Sequence, residues 1–136
     1  MPIISWGLIG LASLTGALSA LYVALAPAAD QTPLSDRTWA AVATADPEVG
    51  AIVARLLVVL GLLGVGFGLL AFLVTLGPYR QGQRWAWNVL WLLPIIYGAI
   101  AARQLADGYP VAYLYGALAA MAIIGLVLGR RAPSTT

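Results

Sequence analysis

The chain contains no cysteine, no histidine and no lysine. Without cysteine there is no thiolate nucleophile, no disulfide exchange, no iron–sulfur cluster and no thiolate-held zinc. Without histidine there is no imidazole base and no histidine-ligated haem, copper or zinc. These absences exclude thiol oxidases and haem-bearing four-helix proteins, and they predict that the protein has no metal site and no cofactor.

Charge is scarce as well. Charged residues make up 9% of the chain and hydrophobic residues 62%, with a mean hydropathy of +0.92, whereas a soluble domain averages about 25% charged residues. Because so few charged residues cannot cover a water-facing surface, we predict that the chain is embedded in lipid. The net charge of +2 is too small to indicate a nucleic-acid partner.

Four apolar runs are long enough to cross a bilayer, which takes about 20 residues in a helix. Asp46, Pro47 and Glu48 form a good start for the second run, as N-cap, first helical residue and acidic first turn. Gly77 and Pro78 are a typical stop signal at its end. We predict a single all-α transmembrane domain over residues 1–136, an antiparallel four-helix bundle with helices at about 3–26, 47–76, 85–105 and 110–129.

Arginine placement predicts the orientation, because short cytoplasmic segments carry the positive excess. Arg80 and Arg84 lie between the second and third helices, and Arg130 and Arg131 follow the fourth. In residues 28–48, by contrast, the acidic residues Asp30, Asp36, Asp46 and Glu48 outnumber the single Arg37. The prediction is a multi-pass protein of the cell membrane with both termini cytoplasmic. In the first outer loop, Ser35 or Asp36 is expected to cap a short interfacial helix carrying Trp39 and Val42.

Small residues recur at helical spacing and predict close helix packing, which drives helix association in lipid. Gly61, Gly64 and Gly68 form one row, and the first helix carries a similar row of glycine, serine and alanine. Whether these rows face the inside of the bundle or another chain is left open by the sequence. In the third helix, Pro94 is expected to kink the backbone and Asn88 to hydrogen-bond to a neighbouring helix.

Two arginines lie near the predicted outer ends of helices, and two interpretations are open for them. In the first, Arg55 and Arg103 pair with Asp46, Glu48 or Asp107 and only tie helix ends to the loop. In the second, they line an outward-facing pocket for an anionic headgroup. The hydroxyls of that pocket would come from three tyrosines in the outer halves of their helices: Tyr22, Tyr97 and Tyr113.

No acidic residue falls within a predicted membrane core. Proton-coupled carriers place an Asp or Glu there, and general acid–base enzymes need a titratable group at the reacting bond. The sequence therefore argues against an ion-coupled carrier and against an enzyme.

The segment "PYRQGQRWAWNVLWLLP", residues 78–94, is rich in amphipathic rings, which prefer the membrane–water interface. It is predicted to anchor the protein at the inner interface, with its arginines among lipid phosphates. The anchor residues are Tyr79, Arg80, Arg84, Trp85, Trp87 and Trp91.

Residues 46–94 resemble an uncharacterised group of small four-helix integral membrane proteins of bacteria and archaea. The resemblance rests on Asp46-Pro47 and on a Tyr-Arg-x-Gly-x-Arg-Trp-Ala-Trp turn, here residues 79–87, in which Gln81 and Gln83 replace the usual basic and acidic residues. It implies the fold and the membrane location, and it implies no active site.

The expected function is that of a non-enzymatic integral membrane protein, a scaffold or small accessory subunit that packs through Gly/Ala-rich helix faces. Its expected partners are membrane lipids, together with a larger membrane complex or further copies of the chain. The alternative is a binder or carrier of a lipid-like or anionic amphiphile in the outer Arg/Tyr pocket.

Overall fold

In a computed structural model, the structure describes residues 2–25, 33–34 and 37–130, and this part of the chain is almost entirely helical. Two-residue strands β1 (Pro33–Leu34) and β2 (Arg37–Thr38) pair antiparallel. The helices are α1 (Ile3–Leu25), α2 (Trp39–Ala45), α3 (Pro47–Val74), α4 (Arg84–Leu90), α5 (Leu92–Ala106) and α6 (Ala112–Arg130).

Within these described residues, four helical spans are long and apolar enough to cross a membrane, which agrees with the predicted number and indicates a multi-pass membrane protein. The spans are Ile3–Leu25, Pro47–Tyr79, Arg84–Ala106 and Ala112–Arg130. Helix α2 lies in the first loop, where a short helix was predicted. Its expected caps, Ser35 and Asp36, lie outside the described residues.

The second span continues beyond its predicted end at Gly77 and Pro78. Thr75–Tyr79 form a π-helical segment, in which Arg80 N–H donates to Thr75 O at 3.2 Å. The wider π turn accommodates Pro78, which has no N–H to donate. The chain then reverses at Gly82, whose φ of +81° is a conformation that glycine adopts without strain.

The third span is interrupted at Trp91, between α4 and α5. Pro94 cannot donate a hydrogen bond to the carbonyl of Leu90, so the helix loses a bond at this point. Trp91 N–H donates instead to Asn88 O at 3.3 Å, three residues back. Pro94 itself is buried, so this proline lies at a packed position three residues after the interruption.

The chain divides into two compact units, and the second comprises residues 18–66. In it, Asp46 caps α3: its Oδ1 accepts from the N–H groups of Glu48 and Val49, both at 3.2 Å. A Cβ added at Gly61 would lie 2.7 Å from Ala24 Cβ, and one added at Gly64 would lie 2.7 Å from Ala20 Cβ. The two glycines thus allow α1 and α3 to approach closely.

The first unit contains residues up to 17 and from 67 onward. Its core includes Ile9, Leu90, Leu93 and Leu126, which are almost completely buried. Helices α4 and α5 run antiparallel to α6, because Trp87 contacts Leu126 while Tyr97, further along, contacts Tyr115, earlier in α6. The start of α1, the end of the π segment and the end of α6 meet at one end of this unit, where Ser5, Tyr79 and Gly129 are in contact.

Candidate functional site

Tyr97, expected in the outer pocket, lies in the core of the first unit and is only 4% exposed. Its hydroxyl donates to Ala12 O at 3.4 Å. Gly16 makes room for this hydroxyl, because a Cβ at that position would overlap it. The Tyr97 ring also lies 6.1 Å from the ring of Tyr115. Its hydroxyl is therefore used in packing α5 against α1.

Arg103 and Tyr113 face outward in the same unit. The Arg103 side chain is 79% exposed and forms an ion pair with Asp107, with Nε 3.1 Å from Oδ2. Tyr113 is 74% exposed. A buried Tyr97 and an outward-facing Tyr113 do not enclose one cavity with Arg103, so the structure does not gather these three residues into a pocket.

The other two residues of the predicted pocket belong to the second unit. Tyr22 is 65% exposed, and Arg55 is exposed as well. Both side chains therefore lie on the exposed faces of their helices.

Tyr79 departs from its expected role as an interface anchor, because it is fully buried. Its hydroxyl lies 2.6 Å from Ser5 Oγ. Each hydroxyl has one proton to donate, so the short distances assign the Tyr79 proton to Ser5 Oγ and the Ser5 proton to Gly125 O at 2.7 Å. The Tyr79 hydroxyl also lies 3.2 Å from the same carbonyl oxygen. A buried phenol needs such partners, and here α1 and α6 supply them. This group of Ser5, Tyr79, Gly125 and Gly129 is called the Ser5–Tyr79 cluster below.

The two glycines of the cluster make it possible. A Cβ at Gly125 would lie 2.6 Å from Ile9 Cγ1 and 2.9 Å from Ser5 O, and one at Gly129 would overlap the Tyr79 hydroxyl. Gly125 and Gly129 stand four residues apart, which is the GxxxG spacing of close helix contacts in membranes. This spacing is visible in the sequence, but neither it nor the role of Ser5 was among the predictions.

The remaining anchor residues divide into packed and exposed groups. Trp87 is half-buried, donates from Nε1 to Leu126 O at 3.1 Å, and meets Trp91 edge-on at a centroid distance of 5.7 Å. Arg84 and Trp85 are exposed. The Arg80 guanidinium lies 5.3 Å from the centre of the Trp6 ring, a cation–π distance.

Glutamine side chains order the turn between these residues. Trp85 Nε1 donates to Gln83 Oε1 at 2.6 Å, and Gln83 Nε2 donates to Gln81 Oε1 at 3.2 Å. Gln81 and Gln83 thus hold the exposed indole of Trp85 without adding charge to the turn.

Of the residues predicted to pack helices, the glycines do so within the chain. In the first unit, Gly68 is buried against Ala17 and Ser13 of α1, just as Gly61 and Gly64 meet α1 in the second. Asn88 departs from its prediction, because it is exposed and its side chain has no hydrogen-bond partner among the described residues. Its position on α4 points it away from the neighbouring helices.

In the described part of the first unit, the buried hydroxyls of serine, threonine and tyrosine are hydrogen-bonded within the protein. Besides the Ser5–Tyr79 cluster, Ser13 Oγ donates to Ile9 O at 2.8 Å and Thr75 Oγ1 donates to Ala71 O at 2.7 Å. A nucleophilic hydroxyl needs a base within hydrogen-bond reach. From residue 49 onward the sequence has one carboxylate side chain, Asp107, and it is paired with Arg103.

Side chains that could bind a metal ion are sparse as well. Within residues 2–25, 33–34 and 37–130, no group of three or more His, Cys, Asp or Glu side chains could hold a metal ion.

Comparison of the chain with protein families, with curated proteins and with solved structures gave no match.

Proposed function

We propose that the protein is a non-enzymatic integral membrane protein that serves as a scaffold or small accessory subunit. The observation that supports this most is the state of its buried hydroxyls. Ser5, Ser13, Thr75 and Tyr97 donate to backbone carbonyls, and the Tyr79 hydroxyl is hydrogen-bonded to Ser5, so the protons of these hydroxyls are engaged in contacts within the protein. The outer lipid-binding pocket has less support, because Tyr113 and Arg103 face outward and Tyr97 is buried.

The helix face proposed to bind a partner is not the glycine row of α3. Those glycines, Gly61, Gly64 and Gly68, are already in contact with α1 of the same chain. On α3 the exposed positions Leu56, Val59, Leu63 and Gly66 recur at spacings of three and four residues. That spacing is typical of a helix-packing seam, and a Cβ at Gly66 would meet nothing within 4 Å. A partner helix, from another protein or a second copy, is proposed to pack on this face.

Native mass spectrometry after extraction in mild detergent tests this role. We expect the wild-type chain to carry a reproducible protein partner or a second copy, and the Gly66→Leu variant to lose it while remaining folded, as its circular dichroism spectrum would show. Leucine at Gly66 fills open space on the exposed face, so it blocks an approaching helix without disturbing the fold. The matched control is Tyr22→Phe, which changes an exposed side chain of α1. A wild-type monomer without a protein partner would contradict the proposal.

We also propose that the protein lies in the cell membrane with its termini and the 80–84 turn cytoplasmic, and with α2 along the outer interface. Support comes from Arg80, Arg84 and Arg130, which are all exposed and lie at the end where Tyr79 meets Gly129. Short segments rich in arginine stay in the cytoplasm.

Cysteine labelling tests the orientation, because the chain has no cysteine of its own. Gln81→Cys is expected to react with a membrane-impermeant maleimide only after the membrane is permeabilised. Ala45→Cys, at the exposed end of α2, is expected to react in intact cells. The reverse pattern would show that the protein is inserted the other way.

A further inference from the structure

One row of exposed side chains runs along the third span from its arginine-rich end. Arg84, Asn88, Leu92 and Ile95 follow one another at spacings of four, four and three residues, and all are exposed. Trp91 keeps near-helical angles, φ −63° and ψ −17°, so the row continues past the interruption. With a rise of 1.5 Å per residue, Asn88 lies about 6 Å and Leu92 about 12 Å along the axis from Arg84.

The polarity of the row decreases along its length. It begins with a cation, continues with an amide that can both donate and accept, and ends with two aliphatic side chains. In the orientation proposed above, Asn88 lies one helical turn from the interfacial Arg84, at the level of the lipid ester groups, and its exposed side chain has no hydrogen-bond partner among the described residues. Its amide donors are therefore available to a molecule that offers oxygen acceptors beside them.

The charge at the start of the row is also unmatched by the chain. The sequence has no Asp or Glu between residues 49 and 106. Arg80, close by in the turn, is held over the Trp6 ring, and Arg84 forms no ion pair among the residues that the structure describes. These two cations favour an anion from outside the chain.

We propose that Arg84, Asn88, Leu92 and Ile95 bind one anionic phospholipid. Its phosphate would contact Arg84, its glycerol ester oxygens would accept from the Asn88 amide, and an acyl chain would lie along Leu92 and Ile95. Phosphate, ester and hydrocarbon occur in this order in a phospholipid, whereas a free phosphate ion would satisfy only Arg84. The site is at the opposite end of α5 from Arg103, and it does not depend on the scaffold role.

Native mass spectrometry with added lipid tests the site. The detergent-solubilised protein is titrated with phosphatidylglycerol or with phosphatidylcholine of the same acyl chains. We expect a single tightly held phosphatidylglycerol, and Arg84→Gln is expected to weaken its binding about fivefold, the effect typical of one basic residue at a membrane surface. Asn88→Leu is expected to weaken binding of both lipids, because it removes the contact to the ester that they share.

Arg130→Gln is the matched control, since it removes one charge from another exposed arginine at the same end of the first unit; it should leave lipid binding unchanged. An equal loss in Arg130→Gln and Arg84→Gln would overturn the proposal in favour of general charge attraction. Displacement of the lipid by inorganic phosphate, with equal potency in the wild type and in Asn88→Leu, would also overturn it, because the site would then bind phosphate alone. Melting temperatures verify that the variants are folded.

Discussion

Replacing Gly68 by valine is expected to destabilise the protein by about 1–3 kcal/mol, the usual cost of overpacking a tight contact. A Cβ at Gly68 would lie 2.7 Å from Ala17 Cβ, 2.9 Å from Ser13 O and 3.0 Å from Ala17 Cα. Two of these atoms belong to the backbone of α1, so no side-chain rotation can relieve the overlap. The helices would have to separate, and close van der Waals contact is what holds helices together in lipid.

The matched control is Gly66→Val, two residues earlier in the same helix. Both variants exchange a helical glycine for the same β-branched residue, but a Cβ at Gly66 meets no atom within 4 Å. Thermal unfolding in detergent, followed by circular dichroism, should show a clear loss for Gly68→Val and little change for Gly66→Val. Equal losses in the two variants would mean that the contact with α1 does not determine the effect.

Replacing Tyr79 by alanine is expected to have the largest effect on stability, about 3–5 kcal/mol, as for other large buried aromatic side chains. The ring is fully buried, and its hydroxyl joins the π segment to α1 and α6. Tyr79→Phe should cost only about 1 kcal/mol, the net worth of a typical hydrogen bond, because Ser5 keeps its own bond to Gly125 O. The same unfolding assay measures both variants.

Tyr113→Ala is the control for this series, because Tyr113 is exposed on α6; it should unfold almost as the wild type does. If Tyr79→Phe were as damaging as Tyr79→Ala, the hydroxyl network would dominate over packing of the ring. If neither variant unfolded earlier than Tyr113→Ala, Tyr79 would not be part of the core.

Features that depend on local sequence were predictable. The four spans follow from apolar runs of sufficient length, and Asp46 caps α3 as its position before Pro47 indicates. Pro94 lies three residues after the interruption at Trp91, since the missing N–H weakens the preceding turn. Each of these effects acts within one or two helical turns, so no knowledge of neighbouring helices is needed.

The direction in which individual side chains point was less predictable. An aromatic ring near a membrane interface indicates depth, but it does not indicate whether the ring points to lipid or to protein. Tyr79 points inward because the π segment turns it toward the gap left by Gly129. Asn88 was expected inside because it is polar, yet it lies on the exposed side of α4. Both outcomes depend on which face of the helix the neighbouring helices cover.

The Ser5–Tyr79 cluster also sets an order of assembly during synthesis. Ser5 is translated 120 residues before its acceptor Gly125, so the end of the unit near Ser5 cannot close until α6 has been made and inserted. The contact of Ala17 with Gly68 needs only α1 and α3, and it can form while the rest of the chain is still on the ribosome. A nascent chain arrested before Gly125 would therefore carry a paired α1 and α3, with the end near Ser5 still open.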